Sequence, residues 1–138
     1  DTAQFFLSQM QSWKKSSILI GRIGQSEGFD YFHFLQPNQY YKNSKEFTEK
    51  ELQVAFEQKN YPYKTAVHIG YPLLVNQRSY LIDKGINFFD LTLIFKNEKR
   101  TVYFDKCCHF NELGYNLITD NILQRIVNYY SKPTSNIN

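Results

Sequence analysis

Two periods of apolar residues, one helical and one alternating, divide this chain into elements. Residues 2–24 place Phe5, Phe6, Met10, Trp13, Ile18 and Ile20 at roughly helical spacing, which predicts a long helix weakened at its end by Gly21 and Gly24. Residues 29–36 are short, aromatic and bounded by Gly28 and Pro37, the pattern of a buried strand, and 37–44 form a polar loop after it. Thr48-Glu49-Lys50-Glu51 is a capping-box signature that opens a helix to about Lys59, and Asn60-Tyr61-Pro62-Tyr63 breaks it. Residues 73–84 predict a further helix stopped at Gly85. Residues 86–95 read as a second strand or strand plus loop, and 100–104 as a third. The last helix, 111–130, carries Leu113, Leu117, Ile118, Ile122, Ile126 and Val127 on its apolar side, and a polar, frayed tail occupies 131–138. Residues 1–130 therefore predict one α/β domain built on a layered sheet, with too few strands to complete that sheet.

Composition narrows the function only a little. The balance of 16 basic and 13 acidic residues is 16 − 13 = +3, and the basic pairs Lys14-Lys15 and Lys99-Arg100 form no stripe, so nucleic acid is not the expected partner. With 11 Tyr and 12 Phe, some tyrosines must be exposed; they form either a stacking surface or the imprint of an AT-rich genome. No apolar run approaches the ~18 residues of a membrane span. Cys107 and Cys108 are adjacent, which rules out an ordinary intrachain disulfide framework and leaves the compartment undetermined. The chain opens at Asp1, so a preceding segment is expected.

The chemistry concentrates near the end. Asp105 closes an apolar, β-branched run, His109 comes four residues later, and Asn111 and Gly114 follow at the start of the terminal helix. A carboxylate beside a histidine orients the imidazole and stabilises its protonated form, and a loop after a strand is where α/β proteins hang such groups. Asp90, at the end of another aromatic run, is either an alternative acid or a turn former. The run Gln36-Pro37-Asn38-Gln39-Tyr40 comes after the first strand; its amides and phenols, Gln36 and Asn38 foremost, suit a hydroxylated substrate or bond their own loop. Cys107-Cys108-His109 lacks a second ligand pair at zinc spacing, so no metal is expected. His33, among aromatics, reads as a satisfied core histidine, and His68 has no assignment. Gly24-Gln25-Ser26-Glu27-Gly28 matches a nucleophile elbow in letters, but with a helix before it and a strand after it the flanks are reversed, and a glycine-rich helix cap is the alternative.

The block around His109, with Phe88-Phe89-Asp90-Leu91-Thr92 before it and the Leu35-Gln36-Pro37-Asn38 run earlier, resembles the C-terminal half of SGNH (GDSL-type) hydrolases over roughly residues 10–128. The resemblance implies a three-layer α/β/α flavodoxin-like fold, here lacking its N-terminal strands, and serine-dependent ester hydrolysis or acyl transfer without a cofactor. It matches His109 to the catalytic histidine, with Asn111 and Gly114 after it. The family's acid lies three residues before the histidine, where this chain has Lys106; Asp105 sits one further back. The family's Gly-Asp-Ser, oxyanion-glycine and Gly-x-Asn-Asp blocks are not found. The resemblance thus implies a missing segment or partner chain carrying the serine, and an ester substrate such as an acylated glycan or lipid. In the intact enzyme His109 would take the serine proton and return it to the leaving alcohol, with Asp105 orienting it. The alternative is an inactive SGNH-like module retained for binding or assembly.

Overall fold

The computed structural model describes residues 1–57, 59 and 61–131. The remainder of the expected polar tail, 132–138, lies outside the described residues. The chain order is helix α1 (Thr2–Glu27), strand β1 (Phe32–Leu35), helices α2 (Glu49–Val54), α3 (Pro62–Val75) and α4 (Arg78–Asp83), strand β2 (Asn87–Asp90) and helix α5 (Glu112–Tyr130). This is a mixed α/β architecture, with β1 and β2 parallel and paired from Phe32 with Asn87 to Leu35 with Asp90. Two strands do not make a flavodoxin-like sheet.

α1 runs past the glycines that were expected to weaken it, because both are packing positions. A Cβ on Gly21 would collide with the Ile86 side chain, and one on Gly24 would lie 2.7 Å from the Phe29 carbonyl oxygen. The helix stops instead at Gly28, whose φ of +77° is a left-handed C-cap. Phe29 donates its N–H to Gly24 O, so the residues before Phe32 close the helix and shorten the strand.

The capping box at Thr48 is present in both directions, but α2 ends at Val54. Pro62 does not merely break a helix. It occupies the first turn of α3, where its missing N–H costs nothing. The expected helix over 73–84 is split: α3 ends at Val75 with Asn76 as its cap, and α4 begins after Gln77 and closes before Gly85, at φ +79°.

The third strand, expected over 100–104, is corrected. A single antiparallel bridge joins Tyr103 to Phe110. The physical reason is Glu51: its Oε1 accepts the Val102 N–H at 2.9 Å and the Tyr103 N–H at 3.1 Å. Two backbone donors that a ladder would use are held by one buried carboxylate.

Side chains of the two strands divide between faces. Leu35 and Phe88, with Leu81 and Ile86, form a core packed by Trp13, Ile18, Tyr71 and Leu74 from α1 and α3. Phe32, Phe34 and Phe89 stack on the other face, where Tyr129 meets Phe32 edge-on. A second core gathers Ala55, Phe95, Val102, Tyr103 and Phe110 with Leu113, Leu117 and Ile118 of α5. Leu19, Ile20 and Ile23 of α1 and Leu123 and Val127 of α5 remain exposed.

Candidate acid–base site

The loop 105–109 leaves the second core and returns to it. Phe104 N–H donates to His109 O at its neck, and Asn111 N–H donates to Val102 O below. Asn111 then caps α5: its Oδ1 accepts Gly114 N–H at 3.0 Å while its Nδ2 donates to Thr101 O at 2.7 Å. Gly114 is needed for this closeness, since a Cβ there would lie 2.8 Å from Phe110 Cβ and 3.0 Å from Val102 O.

Within the loop, Asp105 Oδ2 meets His109 Nδ1 at 2.5 Å. Asp105 Oδ1 accepts the N–H of Cys107 at 2.8 Å and that of His109 at 3.3 Å. Partial burial opposes ionisation of this carboxyl, but the imidazole and the two amides outweigh it, and its pKa lies below the ordinary aspartate value. With Nδ1 engaged, Nε2 is the remaining ring nitrogen, and 55 % of the His109 side chain is exposed. An imidazole held in this way can take a proton at Nε2 while the carboxylate stabilises the cation.

Lys106, at the position of the expected acid, points away and pairs with Glu57 at 2.7 Å. Cys108 has φ +69°, a left-handed conformation that strains a non-glycine residue. That turn lets residues four apart in sequence, Asp105 and His109, meet. Both cysteines are free thiols; burial raises the pKa of Cys108, so it is not a poised thiolate.

The other expected site residues divide. Gln36 reaches the loop, its Nε2 lying 3.7 Å from Cys108 Sγ. Asn38 is fully buried, donates to the Tyr63 hydroxyl at 2.6 Å and accepts the Tyr40 N–H at 3.0 Å. The Asn38 and Asn111 amides are therefore engaged inside the protein. Asp90 forms a turn, accepting Thr92 N–H at 2.8 Å, and it is Asp105 that holds His109.

Ser26 lies in the last turn of α1, bonded to Glu27 and far from any strand-to-helix elbow. His33 Nδ1 bonds the buried Ser17 hydroxyl at 2.7 Å beneath Trp13, and burial lowers its pKa. This Ser–His contact is a core hydrogen bond, since Ser17 is only 2 % exposed. His68 is exposed on α3. Among the described residues, no three His, Cys, Asp or Glu side chains gather to hold a metal.

Sequence reasoning placed Gln39 and Tyr40 in a run suited to a substrate or to its own backbone, and did not foresee that they hold the loop 105–109 from outside. Gln39, Tyr40 and Glu51 all contact the segment 102–106 and are nearly fully buried. The capping-box letters signalled Glu51 at α2 but not its second set of bonds. Tyr63 was missed as well: its hydroxyl touches both Asn38 and Cys108, and burial with the Cys108 contact raises its pKa.

Comparison of the chain with protein-family models, with curated proteins and with solved structures found no match.

Proposed function

We propose that this chain supplies the histidine–aspartate half of a serine-dependent ester hydrolase or acyl transferase of SGNH type. The observation that carries the proposal is the 2.5 Å contact between Asp105 and His109 Nδ1, which leaves Nε2 as the base. In this reading β1 and β2 are the last two strands of a three-layer α/β/α sheet. The exposed apolar positions of α1 and α5 support a further segment or partner chain packed there and carrying the serine. His109 takes the serine proton as the hydroxyl attacks the ester carbonyl, and then protonates the departing alkoxide. Asp105 stays ionised throughout and stabilises the imidazolium. An ester of a glycan or lipid is the substrate class.

One set of contacts favours the alternative of an inactive binding or assembly module. Three serine hydroxyls of this chain are engaged away from His109, Ser17 with His33, Ser26 with Glu27 and Ser44 with Gln39 O. The two readings separate on a fluorophosphonate probe applied to the protein as isolated, with intact mass and N-terminal sequencing of every labelled chain. The hydrolase reading expects one labelled serine, and a loss of activated-ester hydrolysis of about 10³-fold or more in His109→Ala. No labelled serine, together with unchanged background hydrolysis in His109→Ala, refutes it and leaves the inactive module.

A further inference from the structure

The carboxylate–imidazole contact depends on a loop that is strained where it turns. Left-handed backbone at a non-glycine residue is strained and persists only where the surroundings over-determine it. Cys108, at φ +69°, is such a residue, and its conformation must be imposed from outside the turn.

Two side chains from the segment after β1 supply the restraint. Gln39 Nε2 donates to Ala55 O at 3.1 Å and to Asp105 O at 3.0 Å. The neighbouring Tyr40 hydroxyl donates to Lys106 O at 3.2 Å and accepts the Glu57 N–H at 3.2 Å. The first two carbonyls of the loop are thus tied, through two adjacent residues, to the chain just beyond α2. Both residues are 2 % exposed, so water does not compete for these bonds. Their own backbone is set by Asn38, whose Oδ1 holds the Tyr40 N–H in an Asx turn. The Tyr40 ring is wedged against Phe56, Tyr61 and Tyr63.

We infer that Gln39 and Tyr40 are positioning residues, which hold the Asp105 and Lys106 carbonyls so that the Asp105 carboxylate stays on His109 across the strained Cys108 turn. The catalytic consequence rests on the hydrolase reading, but the structural one does not. Neither side chain touches reacting atoms; each acts through the backbone of the acid.

The test is NMR of the imidazole protons in the full protein with any segment or chain that accompanies it. Tyr40→Phe removes only the hydroxyl and keeps the ring; Gln39→Met keeps the volume and removes both donors. Wild-type protein should show a low-field, slowly exchanging Nδ1 proton assigned to His109 by its loss in His109→Ala. Each of the two variants should lose or strongly broaden that signal, while His33, held by Ser17 in the other core, keeps its own. Where the protein hydrolyses esters, kcat should fall at least about tenfold with KM within about twofold, as a misplaced base predicts.

Retention of the His109 signal in both variants overturns the inference, and so does equal disturbance of His33, which would mean general loosening. If the signal behaves as expected but no hydrolysis is found in wild type, the positioning role stands and the hydrolase reading falls. If hydrolysis is found and the signal ignores both substitutions, the reverse holds.

Discussion

Replacing Glu51 by alanine should be among the most damaging single changes in this chain. The carboxylate is fully buried and carries four bonds: to Thr48 N–H at 2.9 Å, to Lys45 Nζ at 3.0 Å, and to the N–H groups of Val102 and Tyr103 at 2.9 and 3.1 Å. The Lys45 side chain is also fully buried, so Glu51→Ala leaves an ammonium whose remaining neighbour is the Glu46 carbonyl at 2.9 Å. Breaking a buried pair from one side costs about 3–5 kcal/mol, and two stranded amides push the figure toward the upper end. Against a typical total stability of roughly 5–15 kcal/mol this is a large fraction, equivalent to a fall in Tm of about 10–20 °C. Urea unfolding monitored by circular dichroism measures it. A companion double variant, Lys45→Met with Glu51→Leu, removes the orphaned charge and should recover about half of the loss, because the two amides stay unsatisfied. The sign with pH is fixed by the carboxyl: burial opposes its ionisation, but the Thr48, Val102 and Tyr103 amides and Lys45 outweigh that, and its folded pKa lies below the ordinary glutamate value. Its stabilisation is therefore complete above the unfolded pKa and is lost as pH falls through the depressed folded one. Glu51→Gln should remove that part of the acid sensitivity. A loss below about 1 kcal/mol in Glu51→Ala would refute the assignment of a buried hub at this position.

The acid–base loop and the cap of α5 give three further expected outcomes. Asp105→Asn should leave the fold intact and, if the protein is a hydrolase, lower kcat by about 10³–10⁴-fold; rates within tenfold of wild type would remove Asp105 from the triad. Because the Asp105 pKa is depressed despite partial burial, its bond to His109 should survive acidification through the ordinary aspartate range and disappear only below it, as monitored by carboxylate and imidazole NMR. Gly114→Ala should destabilise by about 1–3 kcal/mol despite the better helix propensity of alanine, since the new Cβ meets Phe110 Cβ at 2.8 Å and a backbone oxygen at 3.0 Å; a neutral or raised Tm would contradict it.

The local parts of the fold were readable because their causes are local. The Thr48 capping box and the apolar stripe of α5 each involve residues within a few turns of one another. The failures were non-local. Residues 100–104 have strand letters, and only the arrival of Glu51 from α2 shows why Val102 and Tyr103 make no ladder. Gly21 looked like a helix weakener because Ile86, 65 positions on, is invisible to a periodicity argument. The same division holds at the site. The nearness of Asp105 and His109 in sequence made their pairing legible, whereas Gln39 and Tyr40 lie 66 positions from the carbonyls they hold.

The spacing between acid and histidine ties the site to the rest of the fold. The residue three before the histidine is Lys106, which turns outward to Glu57. The loop turns at one backbone position, Cys108, whose left-handed φ lets it double back so that Asp105 reaches Nδ1. Such a turn has a conformational cost, which a chain keeps only when other contacts offset it. Those contacts are visible: the Asp105 carboxylate bonds the Cys107 and His109 amides, Gln39 and Tyr40 hold the Asp105 and Lys106 carbonyls, and Gln36 lies against Cys108 itself. Apart from the two bonds the carboxylate makes within its own loop, these contacts come from the segment after β1. The polar run after that strand thus serves first to fix the acid–base loop, and the placement of His109 depends on the parallel strand that fixes the run.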